Sequence, residues 1–195
     1  MRLDWLRHGE PDGGSKYRGH SIDDSLTERG WQQMWRGVGR ECHWQAVVSS
    51  PMVRCVSFAG AIASRYDLSL EVIDDLKEIG FGSWEGKTKA QLLEECADEY
   101  HAFYHDPVNS RPAESENLVS FMQRVSRAFE SIISRYEGQD VLVVTHAGVI
   151  RAALCQVVFA EPKGMYQVKV SNGKLTRFEM SEYGISLISH GLTLG

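Results

Sequence analysis

The sequence predicts an α/β fold, and two observations carry that expectation. Short apolar runs alternate with amphipathic segments along most of the chain, which argues for a sheet covered by helices on both faces. Two of those runs end in a histidine followed closely by a glycine: Arg7-His8-Gly9 after Met1–Leu6, and His146-Ala147-Gly148 after Val141–Thr145. α/β enzymes present reactive side chains in this way, at the carboxyl ends of parallel strands. In chain order, residues 2–7 read as a strand that Asp4 interrupts. Thr27 caps a helix over about 28–39, with Glu28 in its first turn and Gly37 and Gly39 at its end. Ala46–Ser49 is a short buried strand. Ser50 reads as an N-cap and Pro51 as the first helical position of a helix running to Tyr66. Leu70–Ile73 is a weak strand, and residues 74–86, rich in Gly, acid and aromatics, are a loop. A helix over 88–104 precedes turns at Asp106-Pro107 and Arg111-Pro112, and an amphipathic helix covers 116–136. Strand 140–145 leads into helix 147–158. Tyr166–Val170 and Leu175–Met180 flank Ser171-Asn172-Gly173-Lys174 as a hairpin, and Ile185–Ile188 adds a last strand.

The 195 residues suit one domain with room for an insertion. The formal net charge of −5 comes without a long run of one sign, so neither a nucleic-acid footprint nor a membrane-surface patch is expected. No apolar stretch approaches the length of a membrane span, and Arg7, His8 and Glu10 interrupt any signal-peptide pattern; the cytoplasm is the expected compartment. Cys42, Cys55, Cys96 and Cys155 are scattered without a C-x-x-C pair, and read as reduced, mostly buried thiols.

Arg54 follows Ser49-Ser50-Pro51 and so sits in the first turn of a helix leaving a strand end; His146 opens a helix in the same manner. Three strand ends therefore offer two guanidinium groups, two imidazoles and helix N-termini to one cleft. That set describes an anion site, and the forked geometry of arginine selects phosphate or carboxylate.

Leu6-Arg7-His8-Gly9-Glu10, Ser49-Ser50-Pro51-x-x-Arg54-Cys55, Glu78-x-x-Phe81-Gly82-x-Trp84-Glu85-Gly86 and Val144-Thr145-His146-Ala147-Gly148-Val149-x-Arg151 resemble the successive motifs of the histidine phosphatase superfamily. The motifs occur in that family's order and span nearly the whole chain. The resemblance implies a three-layer α/β/α sandwich of the phosphoglycerate mutase-like kind, with a mostly parallel central sheet and a small helical cap at about 79–115. It implies a phosphomonoester hydrolase in which His8 attacks phosphorus and becomes a phosphohistidine. Arg7, Arg54 and His146 would surround the phosphoryl oxygens, with Ala147 and Ser15 among the phosphate contacts. Glu78 would protonate the leaving oxygen and then take a proton from water. No cofactor and no metal are implied, because the cationic side chains supply the positive charge. The expected partner is a small phosphate ester, with no nucleic acid and no membrane; the sequence specifies no oligomeric state.

Some residues carry a plainer expectation. Glu85 reads as a loop organiser. Trp84 and Phe81 read as cap packing, with a stacking contact from Trp84 to substrate kept open. His101 and His105 lie four apart on a helix, but no third metal ligand is evident. Glu116 resembles the family's Gly-Glu-Ser helix start, with Ser115 and Asn117 departing from it. Many relatives have Asn six residues after the nucleophile where this chain has Gly14; the amides of Gly13 to Ser15, or the Ser15 hydroxyl, are the expected replacement. Lys16 and Arg18 lie on the same loop, with Arg18 a candidate substrate contact. The short cap and the run to Tyr17-Arg18-Gly19-His20 favour the phosphatase branch over the mutases. Within it the likeness is greatest to α-ribazole phosphatases, which remove a 5′-phosphate late in cobalamin synthesis. A phosphoglycerate mutase, a fructose-2,6-bisphosphatase-like or broad-specificity phosphatase, and a catalytically silent phospho-ligand-binding protein remain as alternatives.

Overall fold

A computed structural model describes residues 1–195 as six strands and six α-helices: β1 (Arg2–Arg7), α1 (Glu28–Val38), β2 (Ala46–Ser49), α2 (Val53–Tyr66), β3 (Ser69–Val72), α3 (Lys89–Glu95), α4 (Ala97–His105), α5 (Leu118–Arg135), β4 (Val141–Thr145), α6 (Ala147–Val157), β5 (Leu175–Ser181) and β6 (Gly184–Leu192). The strands form one sheet in the order β3-β2-β4-β1-β5-β6. The first four are parallel; β5 and β6 are antiparallel additions at one edge. No helix is long and apolar enough to cross a membrane.

The alternation of side chains along each strand makes the three layers. Leu3 and Trp5 of β1, with Val141 and Val143 of β4, face a core built on α5 and α6. Leu6, Leu142 and Val144 face the opposite core, built on α1 and α2. A third, smaller cluster of Trp84, Leu92, Tyr100 and Phe103 forms between β3 and α5. The expected α/β/α sandwich with a mostly parallel sheet is thus the observed architecture.

Local signals explain the boundaries. The Thr27 hydroxyl accepts from Gly30 N at 2.9 Å and so caps α1, which ends at Gly39 with φ 73°. Asn117 caps α5 by accepting from Ser120 N at 3.0 Å. Four expectations need correction. Ser50 does not cap α2: the helix starts at Val53, whose amide is held by Asp23 from a distant loop at 2.8 Å. The predicted helix over 88–104 breaks at Cys96, whose φ −151° and ψ 52° are non-helical, and this kink turns Leu92, Tyr100 and Phe103 toward one cluster. Residues 166–170 are not a hairpin strand. Both sides of β5, its expected partner, are taken by β1 and β6, and Pro162–Gln167 coils into a 3₁₀ turn instead. The hairpin is β5–β6. All four cysteines are free, but only Cys55 and Cys155 are buried.

Asp4, which seems misplaced in a buried strand, is satisfied there. Its carboxylate accepts from Arg177 Nε and Nη2 at 2.7 and 2.9 Å and from Trp44 Nε1 at 3.0 Å. Asp4→Ala leaves a guanidinium and an indole without their partner, and the expected loss is about 3–5 kcal/mol, read from the midpoint of urea unfolding. A change below about 1 kcal/mol would assign the pair to the weak, exposed class of ion pairs.

Candidate active site

The register of the parallel strands assembles the site. Arg7 is level with Thr145, and Ser49 with Val144, so the chain leaves β1, β2 and β4 at neighbouring points on one end of the sheet. His8 N donates to Thr145 O at 2.9 Å and Ser50 N to Val144 O at 3.0 Å, extending the ladder one residue beyond the strands. A cavity of about 540 Å³ opens there, a normal size for a small-molecule site. Its walls include Arg7, His8, Ser15, Arg18, Arg54, Glu78 and Ala147 among the expected residues, and also Tyr17, Phe81, Arg151, Tyr166 and Asn172.

His8 is 5% exposed. Its Nδ1 lies 2.7 Å from Gly9 O; a carbonyl oxygen only accepts, so Nδ1 carries the proton and donates. The lone pair is therefore on Nε2, which makes no hydrogen bond within the chain. Burial, and then the charges of Arg7 and Arg54, hold the imidazole well below the usual histidine range. The side chain stays neutral and nucleophilic at neutral pH.

Two arginines line the same cavity as His8 and have spare donors. Arg7 is tied by Nη1 to Val170 O at 2.6 Å, and Arg54, 1% exposed, by Nη1 and Nη2 to Ile22 O and Gly19 O at 3.0 and 2.9 Å. The Nε of each is buried without a partner. Burial lowers the Arg7 guanidinium to about 10, offset in part by Glu78. Orphaned buried donors beside a bare imidazole call for an anion. Glu78 lies across the cavity. Its carboxylate accepts from Ile79 N at 3.0 Å and from Gly148 N, in the first turn of α6, at 3.2 Å. A Cβ at Gly148 would run into that carboxylate, which explains the glycine after Ala147. The Glu78 carbonyl is held by His20 Nδ1 at 3.0 Å and Arg124 Nη2 at 3.1 Å, and Arg124 pairs with Glu116 at 2.7 Å.

Two of the expected contacts are placed differently. His146 stands beside His8, ring centres 5.2 Å apart, but is fully buried and off the cavity wall. Its Nε2 is 2.7 Å from the Ser50 hydroxyl and 3.6 Å from Cys55 Sγ, so it backs the nucleophile rather than facing the phosphate space. Burial, then Arg54 and His8, hold it too well below the usual range. Trp84 is 1% exposed and stacks on Tyr100, with Nε1 donated to Glu99 at 2.5 Å; it is no substrate contact, because the Cys96 kink closes helices α3 and α4 around it. Arg18 lines the cavity as expected, and its donors also serve Asp24 at 2.8 Å and the carbonyls of Asp12 and Gly14 at 2.5 and 2.7 Å, so it folds the first loop as well. Glu85 organises the loop as expected, accepting from Phe81 N at 2.7 Å and from Ser21. Ser15 is exposed and lines the cavity, next to Gly13 and Gly14, whose φ values of 77° and 72° form a turn in the first loop. His101 and His105 are exposed, and no group of three metal-ligating side chains exists.

Sequence reasoning placed Arg151 in the fourth motif without giving it a role, and did not name Tyr166 or Asn172 as site residues. Arg151 was findable, since it lies one helical turn beyond Ala147 on the same face. Tyr166 and Asn172 come from irregular chain and carried no signal. Both buried imidazoles are expected to remain neutral as pH falls through 6.5, where a solvated histidine gains its proton. Side-chain ¹⁵N shifts measured from pH 8 to 5.5 check this; a His8 ring that becomes doubly protonated near 6.5 contradicts the geometry.

The profile of the histidine phosphatase superfamily, branch 1, matches residues 5–193. An adenosylcobalamin/α-ribazole phosphatase of Escherichia coli is 28% identical over 190 residues, covering 93% of this chain and 91% of that protein. The crystal structure of the α-ribazole phosphatase from Shigella flexneri superposes with a TM-score of 0.85 at 27% identity, covering 98% and 96% of the two chains. A mycobacterial glucosyl-3-phosphoglycerate phosphatase, solved with VO3, gives the same TM-score at 25% identity, covering 98% and 99%. With its phosphoglycerate mutase-like architecture, this chain belongs to branch 1 of the histidine phosphatase superfamily.

Proposed function

We propose that this phosphatase hydrolyses small phosphomonoesters through a phosphohistidine on His8, and that α-ribazole 5′-phosphate is its physiological substrate. The observation that carries the mechanism is the unpartnered Nε2 of a neutral His8, facing a cavity beside the spare Nε donors of Arg7 and Arg54. In the first step Nε2 forms a bond to phosphorus as the ester P–O bond breaks, and Glu78 gives its proton to the leaving oxygen. In the second, Glu78 takes a proton from water, the resulting hydroxide attacks phosphorus, and the P–N bond breaks to release inorganic phosphate. Arg7 and Arg54 stabilise charge on the phosphoryl oxygens in both steps. His146 supports His8 from behind. The phosphoryl group sits against His8, Arg7 and Arg54, with Ser15 lining the same cavity; residues 79–115 act as a cap over the leaving group.

The α-ribazole assignment is supported by the named relatives and by the aromatic part of the cavity wall. Tyr17, Phe81 and Tyr166 present aromatic surface there, with Tyr17 and Phe81 in edge contact at 5.1 Å. A nucleoside with a flat apolar base matches such a wall.

Base-quenched enzyme incubated with ³²P-labelled substrate is expected to carry label on the peptide holding His8, and His8→Ala to lose turnover by several orders of magnitude. Label on the His146 peptide would reverse the assignment. Glu78→Gln is expected to impair hydrolysis of a sugar phosphate far more than that of p-nitrophenyl phosphate, because nitrophenolate leaves without a proton. General acid catalysis contributes about 10²–10⁴-fold where it is needed. Equal slowing of both substrates would make the role of Glu78 structural.

A further inference from the structure

The turn Ser171-Asn172-Gly173-Lys174 opens no hairpin and has no task in the steps above, yet it grips the backbone of the nucleophile. Lys174 N donates to Ser171 O at 3.3 Å, and Gly173 supplies the φ of 65° that closes a turn of this kind. A Cβ at Gly173 would run into the backbone of Gln33, so the turn is wedged against α1. Gly173 N donates to Arg7 O and Arg7 N to Lys174 O, each at 3.1 Å. One residue further along β1, the side chain of Asn172 donates through Nδ2 to His8 O at 3.2 Å. A carbonyl oxygen only accepts, so it is the amide nitrogen of Asn172 that faces it. No other hydrogen bond reaches His8 O.

What His8 O controls lies one peptide on. The His8 ring is held by Nδ1 donating to Gly9 O at 2.7 Å. Gly9 O therefore decides which ring nitrogen keeps the proton and which turns its lone pair to the cavity. The sheet does not orient that oxygen: its last bond to this strand is His8 N to Thr145 O at 2.9 Å. His8 O shares a rigid plane with Gly9 N, so a donor on His8 O fixes the plane that leads into Gly9. The chain beyond is held too. Glu10 N donates to Gln33 Oε1 at 2.8 Å, and Glu10 O accepts from Thr27 N at 3.0 Å. Gly9 passes so close to α1 that a Cβ there would run into the Gly30 carbonyl. Gly9 O thus hangs between two anchored peptides, the first secured by Asn172 and the second by Gln33 and Thr27.

We infer that Asn172 is a positioning residue for the nucleophile: by anchoring the His8 carbonyl it keeps Gly9 O on Nδ1, and so keeps Nε2 free of a proton and turned to the phosphoryl group. This inference rests on the reading of His8 as the attacking group and deepens it by naming what sets the reactive tautomer. Asn172 touches no reacting atom in this role. Without its amide the peptide between His8 and Gly9 is free to rotate, and Gly9 O leaves Nδ1. The ring then reverts toward the form protonated at Nε2, which has no lone pair to offer phosphorus.

The test uses the full-length enzyme with ¹⁵N-labelled histidine rings at pH 8, the His8 signals being assigned by their loss in His8→Ala. Wild type is expected to show His8 as one tautomer, protonated at Nδ1. Two variants remove the donor: Asn172→Ala, and Asn172→Asp, which keeps the size of the side chain and suits a turn. Both are expected to show His8 protonated at Nε2 in part or in full. On p-nitrophenyl phosphate, whose leaving group needs no proton and so reports attack by His8, both are expected to lose about tenfold or more in kcat, with KM changed less than about threefold. Ser171→Ala, in the same turn with an exposed side chain, is expected to match wild type in spectrum and rate. A His8 ring that keeps its single Nδ1 proton in the Asn172 variants overturns the inference whatever happens to the rate, since a merely structural loss leaves the tautomer alone. Full kcat in variants whose tautomer has changed overturns it as well. Phosphoryl label on a histidine other than His8 in wild type refutes instead the nucleophile reading on which the inference stands.

Discussion

Parallel pairing of β4 between β1 and β2 is the constraint from which the rest of the site follows. Arg7 opposite Thr145, and Ser49 opposite Val144, fix where the chain leaves each strand to within one residue. A slip of one residue would turn every side chain of a strand to the other face. Leu3 and Trp5 would then exchange cores with Asp4 and Leu6, and the Asp4–Arg177–Trp44 group would be broken. The hydrophobic cost of that exchange holds the register, and the register in turn holds His8 against Thr145 O and beside His146. Core packing thus sets where the nucleophile leaves the sheet.

Around this frame, charge is buried in a definite pattern. Arg54 is almost wholly withdrawn from water and draws the first loop inward through the carbonyls of Gly19 and Ile22. Arg18 holds the same loop from within through Asp24 and two further carbonyls. Arg124 does the equivalent for the Glu78 segment, accepting the Glu116 carboxylate as its partner and donating to the carbonyls of Asp75, Lys77 and Glu78. Three guanidinium groups therefore act as scaffolding for irregular chain, where no sheet or helix ladder is available to satisfy backbone oxygens. Arg7 and Arg151 add a fourth and fifth instance on Val170 and Val168, in the irregular chain between α6 and β5.

The imidazoles show the opposite response to the same environment. Desolvation and nearby arginines penalise a charged ring, so both stay neutral. Neutrality alone does not choose the reactive nitrogen. The hydrogen bond from His8 Nδ1 to Gly9 O does so, leaving Nε2 as the lone pair in the cavity. At His146 the corresponding nitrogen is instead engaged by Ser50, with Cys55 alongside. Two histidines that look equivalent in the sequence, each at a strand end before a glycine, are in this way given different surroundings and different access to the cavity.

The sequence by itself determined the alternating strands and helices, the order of the motifs, and the residues that gather at the strand ends. The continuous apolar runs of β1 and β4, the Thr27 cap and the positions of His8, Arg7, Arg54 and Glu78 in the chain are local or pattern-level properties, and they were legible for that reason. The hairpin at 166–170 was misread because its turn residues are genuine, while both edges of its expected partner β5 are filled by β1 and β6. The Ser50 cap failed because Asp23, from a loop thirty residues away in the chain, takes the amide at Val53 and His146 takes the Ser50 hydroxyl. Trp84 bears chemistry suited to a ligand, and its type alone cannot say that Tyr100 and Glu99 reach it first. Which polar and aromatic groups remain free to meet a substrate is a competition among partners distant in sequence, and only the tertiary structure decides it.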